Sequence, residues 1–208
     1  MRTDTKHPEN GIKMEAHSGR EIRARAQNVL GRMYQNGDSV PRNYLKAASC
    51  FREAAELGDM NGQYNLARMY QRGTEVAHNN REAAKWFRMA AVQGHDKAQY
   101  CLGVLHEKGI GVSQDSREAL KWKRMAAEQG EPRAQNHLGV RYAKGEGVKQ
   151  NYTAAFVWLH LAAVQGHRTA RKNVSALTEK MTPEQISAAK KMVCRTRTQK
   201  LSYLSFLK

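Results

Sequence analysis

Cysteine is scarce in this chain: three residues, Cys50, Cys101 and Cys194, occur among 208. An odd number cannot all pair within one chain, and no repeat carries its own pair, which argues against a disulfide framework and for reduced, packed thiols. No CxxC spacing occurs that would suggest a metal cluster. Long apolar runs are missing as well; none approaches the ~18 residues of a membrane span. Met1 to Arg20 are polar, with Pro8 and Gly11 and no hydrophobic stretch, so they do not read as a secretory signal, and the cytoplasm is the expected location. Acidic side chains are few, 19 against 35 lysines and arginines, leaving a formal net charge of +16. What remains, 40% apolar and 26% charged, is an ordinary soluble composition rather than a disordered one.

A period of 36 residues runs through the chain. Small residues recur at Ala26, Gly62, Ala98, Ala134 and Ala170, and again at Gly31, Ala67, Gly103 and Gly139. Glycine recurs at 37, 73, 109 and 145, and at 58, 94, 130 and 166. Lockstep of this kind marks a stacked solenoid whose units bury their apolar faces against their neighbours. Within each unit the apolar residues follow helical spacing in two runs. The spacing predicts first helices near 24–36, 60–72, 96–108 and 132–144, and second helices near 43–57, 79–93, 115–129 and 151–165. Leu30, Leu66, Leu102 and Leu138 each precede Tyr34, Tyr70, His106 or Tyr142 by four positions, which puts each pair on one helix face. Trp86, Trp122 and Trp158 stand among alanines in the second helices and read as core wedges, not ligand-stacking rings.

The boundaries repeat too. Asp115 with Glu118 and Asn79 with Glu82 fit an N-cap followed by an acidic residue three positions on, and Asn43 and Asn151 keep the cap alone. Gly58, Gly94, Gly130 and Gly166 stand where helices should end in a left-handed residue. The stretches Gly109-Ile110-Gly111-Val112 and Gly145-Glu146-Gly147-Val148 resemble phosphate loops only superficially, since the preceding strand and the lysine are missing. After Gly166 a helix near 168–179 is expected. Thr182-Pro183-Glu184-Gln185 then forms a capping box opening a last helix near 184–194, which should close the stack. The expected organisation is a flexible basic segment over 1–20, a solenoid over 21–194 and a basic tail over 195–208.

The run Ala98, Leu102-Gly103, Gly109-Ile110-Gly111-Val112, Asp115, Glu118-Ala119, Trp122, Ala126-Ala127, Gly130 resembles a Sel1-like repeat, a relative of the tetratricopeptide repeat. So does its echo Ala134, Leu138-Gly139, Tyr142, Gly145-Glu146-Gly147-Val148, Ala154-Ala155, Trp158, Ala162-Ala163, Gly166. Four such units cover residues 26 to about 166. The resemblance implies an all-α, right-handed superhelix of helix pairs that binds proteins without catalysis or cofactor. Its departures are Ser39 and Glu75 in place of the second turn glycine, Cys50 in place of the tryptophan and His106 in place of tyrosine; each should alter turns or packing locally.

By the same resemblance the first helix of each pair lines the concave side. The outward registers there are Arg25, Asn28, Arg32, Asn61, Tyr64, Arg68, Lys97, Tyr100, Arg133 and Asn136. Arginine grips carboxylates with a rigid fork and tyrosine adds apolar contact at low entropy cost, so an acidic or polar protein segment is the expected partner. Residues 168–208 hold ten basic and two acidic side chains, half of the net charge. A basic end of this kind speeds encounter with acidic partners and can hold nucleic acid or anionic lipid weakly and nonspecifically. Nucleic-acid binding is therefore the alternative class, although no recognised nucleic-acid motif is present. His78, His95, His106, His137, His160 and His167 are scattered without the spacing of a metal or proton-relay site. His137 and Cys101 share a register, a pairing expected to be structural.

Overall fold

The computed structural model describes residues 8–198, with side chains for residues 18–194. Among the described residues there are ten helices and no strand: α1 (Pro8–Asn36), α2 (Tyr44–Glu56), α3 (Met60–Arg72), α4 (Asn80–Val92), α5 (Asp96–Lys108), α6 (Ser116–Glu128), α7 (Pro132–Lys144), α8 (Tyr152–Val164), α9 (Arg168–Thr178) and α10 (Pro183–Thr198). The protein is an all-α repeat solenoid of paired helices. Most expected boundaries hold to within a residue. The exceptions are α1, which starts at Pro8 instead of near 24, and α10, which runs on to Thr198. Residues 8–20, expected to be loose, are therefore helical, and the expected tail is helical through 198; residues 1–7 and 199–208 lie outside the described residues.

Local chemistry explains the boundaries. Asn43, Asn79, Asp115 and Asn151 cap the second helices with their side-chain oxygens, accepting from backbone N–H groups two or three residues on. Each cap also donates its own N–H to the carbonyl of Tyr34, Tyr70, His106 or Tyr142, so one residue starts a helix and ties it to the helix before. His106 thus serves the tyrosine register as expected; it is buried, with Nδ1 3.3 Å from the Ser113 carbonyl. A second set of caps, at Asp59, Glu131 and His167, starts α3, α7 and α9. Thr182 and Gln185 form the reciprocal capping box ahead of α10.

The turns between paired helices need two left-handed residues. Gly111 and Gly147 supply the second with φ 69° in both, and Ser39 and Glu75 adopt the same region with φ 61° and 58°. The turn geometry is therefore retained where the glycine is missing, at the energetic cost of a Cβ in a left-handed conformation.

The chain divides into two compact units, Met1–His95 and Asp96–Lys208, where the sequence reading expects one elongated body. In the first, α1 packs on α2, α2 on α3 and α3 on α4, around Phe51, Leu66, Met69 and the small residues Ala47 and Ala55. In the second, α5 to α9 pack in the same sequential order, and α10 lies against α8. That arrangement explains why α8 is apolar on nearly every side: Phe156, Val157, Trp158 and Leu159 are all buried among α7, α9 and α10. Trp122 and Trp158 are the buried wedges expected, whereas Trp86 is half-buried.

Candidate binding face and its supporting polar network

The ten candidate residues on the first helices separate into contactable and internal ones. In the first unit Arg25, Arg32 and Asn61 are exposed. Asn28 and Tyr64 are not outward-facing as expected; each is 8% exposed. Asn28 accepts a hydrogen bond from Asn65 Nδ2 at 2.9 Å, and Tyr64 stacks on His95 with ring centroids 4.5 Å apart. Both are drawn inward by a partner about one repeat further along the chain. Half-buried Arg68 lies over the Tyr64 ring, 5.7 Å from its centroid. In the second unit Lys97 is exposed and Arg133 covers the Tyr100 ring at 4.6 Å, with its Nε 2.6 Å from Glu131 Oε1. Burial, opposed by the charge of Arg133, pushes the Tyr100 hydroxyl above its ordinary pKa. Asn136 is half-buried and accepts from Asn173 Nδ2 at 2.9 Å. The structure thus brings together Arg68 with Tyr64 and Arg133 with Tyr100, and assigns Asn28 and Asn136 to inter-helix bonds.

Within each unit the structure also shows part-buried glutamine pairs that the sequence reading missed. Gln63, Gln99 and Gln135 are each 1% exposed and accept from Gln93, Gln129 and Gln165 at 2.8, 2.7 and 2.9 Å. Gln63 and Gln135 in turn donate to the carbonyls of Ala55 and Ala127. The 36-residue recurrence of both glutamine sets was their available signal.

The second missed feature is a charged cluster inside the second unit. Lys123 occupies the register of Phe51, Phe87 and Leu159, all fully buried apolar residues, and is itself only 1% exposed. Its stem packs on Gly103, where an added Cβ would lie 2.7 Å from Lys123 Cγ. Its ammonium reaches Glu107 Oε2 at 2.7 Å and His137 Nε2 at 2.9 Å, and His137 Nε2 is 3.2 Å from Glu107 Oε1. Burial holds the Lys123 pKa below the ordinary lysine value despite the opposing pull of Glu107, and burial together with the Lys123 charge lowers His137. Burial works to raise Glu107, but hydrogen bonding and charge from Lys123 override it and leave that carboxyl lowered. His137 is therefore engaged with this pair, and its Nδ1 is buried without a partner. Because the ammonium is enclosed, this cluster has the character of a packed ion pair rather than an open reaction site. Among the described residues, no group of three or more His, Cys, Asp or Glu is arranged to hold a metal ion, and no helix is long and apolar enough to cross a membrane.

Known proteins place this architecture. The Sel1 repeat family matches residues 24–59, 61–95, 96–131 and 132–167. A Sel1 repeat protein from Oxalobacter formigenes is 37% identical with a TM-score of 0.65, over 74% of this chain and 63% of that one. The protective antigen c5321, present in uropathogenic Escherichia coli strains and displaying an SLR fold, is 29% identical with a TM-score of 0.60, over 89% of this chain and 48% of its own. The chain thus spans less than two thirds of either protein's length. No curated protein gave a significant sequence match. With four consecutive units in register and two similar solved structures, the chain belongs to the Sel1 repeat family, whose stacked helix pairs are non-catalytic protein-interaction modules.

Proposed function

We propose that this protein is a scaffold or adaptor that binds an acidic or polar segment of another protein through the exposed face of its first helices. One observation carries the reading: while the inward-turned polar groups of these helices bond to one another, basic groups stay at the surface. Arg25 and Arg32 are exposed in the first unit, with Arg68 half-buried beside them in sequence register, and Lys97 and Arg133 are exposed in the second. Side chains already held over tyrosine rings, as Arg68 and Arg133 are, lose less freedom on meeting a carboxylate. The net charge of +16 would raise the rate of encounter with an acidic partner.

The same charge and a pI near 10.0 favour one competing reading, binding to nucleic acid or an anionic lipid surface through the basic face and C-terminal end. Co-purification from native cells, with and without nuclease and at two salt concentrations, separates the readings. A stoichiometric protein partner that survives nuclease and is weakened by Arg68→Ala or Arg133→Ala, at unchanged helicity, is the expected result. Recovery of nuclease-sensitive material alone would defeat the proposal.

A further inference from the structure

Within the second unit, α7, α8 and α9 leave an open cleft of about 190 Å³. Val140, Leu159 and Leu177 supply apolar lining, with Leu159 and Leu177 buried in the core beneath. Lys144 and Lys180, both exposed, are the charged residues lining it, and no acidic residue does so among those described. The two lysines share one register of the 36-residue repeat: Lys144 is the last residue of α7, and Lys180 lies two residues past the end of α9. A cation near a helix C-terminus is favoured by the helix dipole, which accounts for each lysine taken singly. It does not account for two of them flanking an apolar recess without a carboxylate lining it. Lys144 pairs with Glu146 at 3.2 Å, but both partners are more than half exposed, so that pair is cheaply exchanged for another carboxylate. Asn173 also lines the cleft; it spends its amide N–H on Asn136, which leaves its carbonyl oxygen able to accept from a peptide N–H.

We infer that this cleft is a docking site for a linear segment of a partner protein in which one large apolar side chain is flanked by aspartate or glutamate. The apolar side chain fills the recess, the carboxylates meet Lys144 and Lys180, and Asn173 takes a backbone N–H. Charge complementarity selects this occupant: the cleft combines an apolar lining with cations of one sign, on a chain that is basic throughout. The inference rests on the protein-binding reading above and adds the chemistry of the bound segment.

The test uses the full chain and an array of decapeptides varying at the centre (Leu, Phe, Ala or Gln) and in the flanks (Asp/Glu, Ser/Gly or Lys), with fluorescence anisotropy on the strongest binders. Acidic peptides with central Leu or Phe should bind best, and central Ala should weaken binding on the order of tenfold. Lys180→Glu leaves Lys144 in place and sets one carboxylate against one ammonium, so the preference for acidic flanks should be lost. Ala176→Trp, at an exposed cleft-lining position on α9, should fill the recess and reduce binding at least about tenfold while the circular dichroism and melting temperature stay those of the parent. Equal binding of central Leu and central Ala peptides would reduce the interaction to charge alone and overturn the inference. So would undiminished binding to a folded Ala176→Trp protein, or a dimer of the parent, seen by sedimentation, that this substitution dissociates. If a co-purified partner still binds Ala176→Trp in full, the scaffold reading stands and the cleft assignment falls; if no protein partner is recovered, the scaffold reading itself fails.

Discussion

Removing the carboxylate from the Lys123 cluster should harm the protein more than removing the lysine. Lys123 is 1% exposed, while the Glu107 side chain is 38% exposed. In Glu107→Gln the buried ammonium loses its counter-charge. Removing one partner of a fully buried pair costs about 3–5 kcal/mol, and because water reaches the glutamate end here, about 2–3 kcal/mol is the expected loss. The upper limit at pH 7 is about 4.6 kcal/mol, since a lysine of pKa ~10.4 can instead release its proton at ~1.36 kcal/mol per unit. In Lys123→Met the remaining carboxylate can rotate into solvent and the register regains an apolar residue like Phe51, Phe87 and Leu159. That variant should be neutral or more stable by about 1 kcal/mol. Urea denaturation followed at 222 nm across pH 7 to 10 provides the assay. The Lys123 pKa is lowered in the folded protein, so at this residue the unfolded chain holds its proton more tightly and its contribution to stability rises with pH, against the opposite contribution of Cys50, which is the same in all three proteins. The rise should be steeper in Glu107→Gln, at most about 1.4 kcal/mol per unit, and absent from Lys123→Met for this residue's contribution. A Glu107→Gln protein as stable as the parent, or a Lys123→Met protein less stable than Glu107→Gln, would refute the reasoning.

On the acid side, His137 has a lowered folded pKa, so its contribution is complete above its ordinary value of 6.5 and is lost as pH falls through the folded value. Urea midpoints between pH 7.5 and 5 should therefore decline less in His137→Gln than in the parent, and equal declines would contradict the packing described. Ser39→Gly and Glu75→Gly should each stabilise by about 0.5–1 kcal/mol, the left-handed strain relieved less the greater freedom of glycine in the unfolded chain; thermal or urea melts that shift downward would show that those side chains hold their turns. Trp122→Ala should cost about 3–5 kcal/mol, because the indole is 6% exposed between packed helices. An unchanged denaturation midpoint would mean that the ring is not a core wedge.

Helix boundaries were readable because their causes are local. A cap such as Asn79 bonds to Arg81 and Glu82, two and three residues away, and Gly58 turns left-handed at a helix end whichever helix comes next. Ser39 and Glu75 belong to the same lesson: turn closure compelled a conformation their side chains do not favour. The capping box at Thr182 announced α10, but that this helix packs against α8 was not legible from it.

The binding face was less legible, because helical register names a side of a helix and not what stands opposite it. Asn28 and Tyr64 belong to the outward register, yet Asn65 and His95, 37 and 31 positions on, draw them inside. Lys123 drew no notice in the sequence; the absence of a side chain at Gly103 lets its stem pack on α5, and its ammonium reaches Glu107 and His137. The helix pairs were determined by the sequence itself, since each follows from residues within a few turns of one another, and the period and the family follow from the recurrence of those local patterns every 36 residues. The tertiary structure alone decided which polar groups are consumed in the interior, where a buried charge finds its partner and where α7, α8 and α9 leave a cleft open, because each depends on distances between helices that local spacing does not contain.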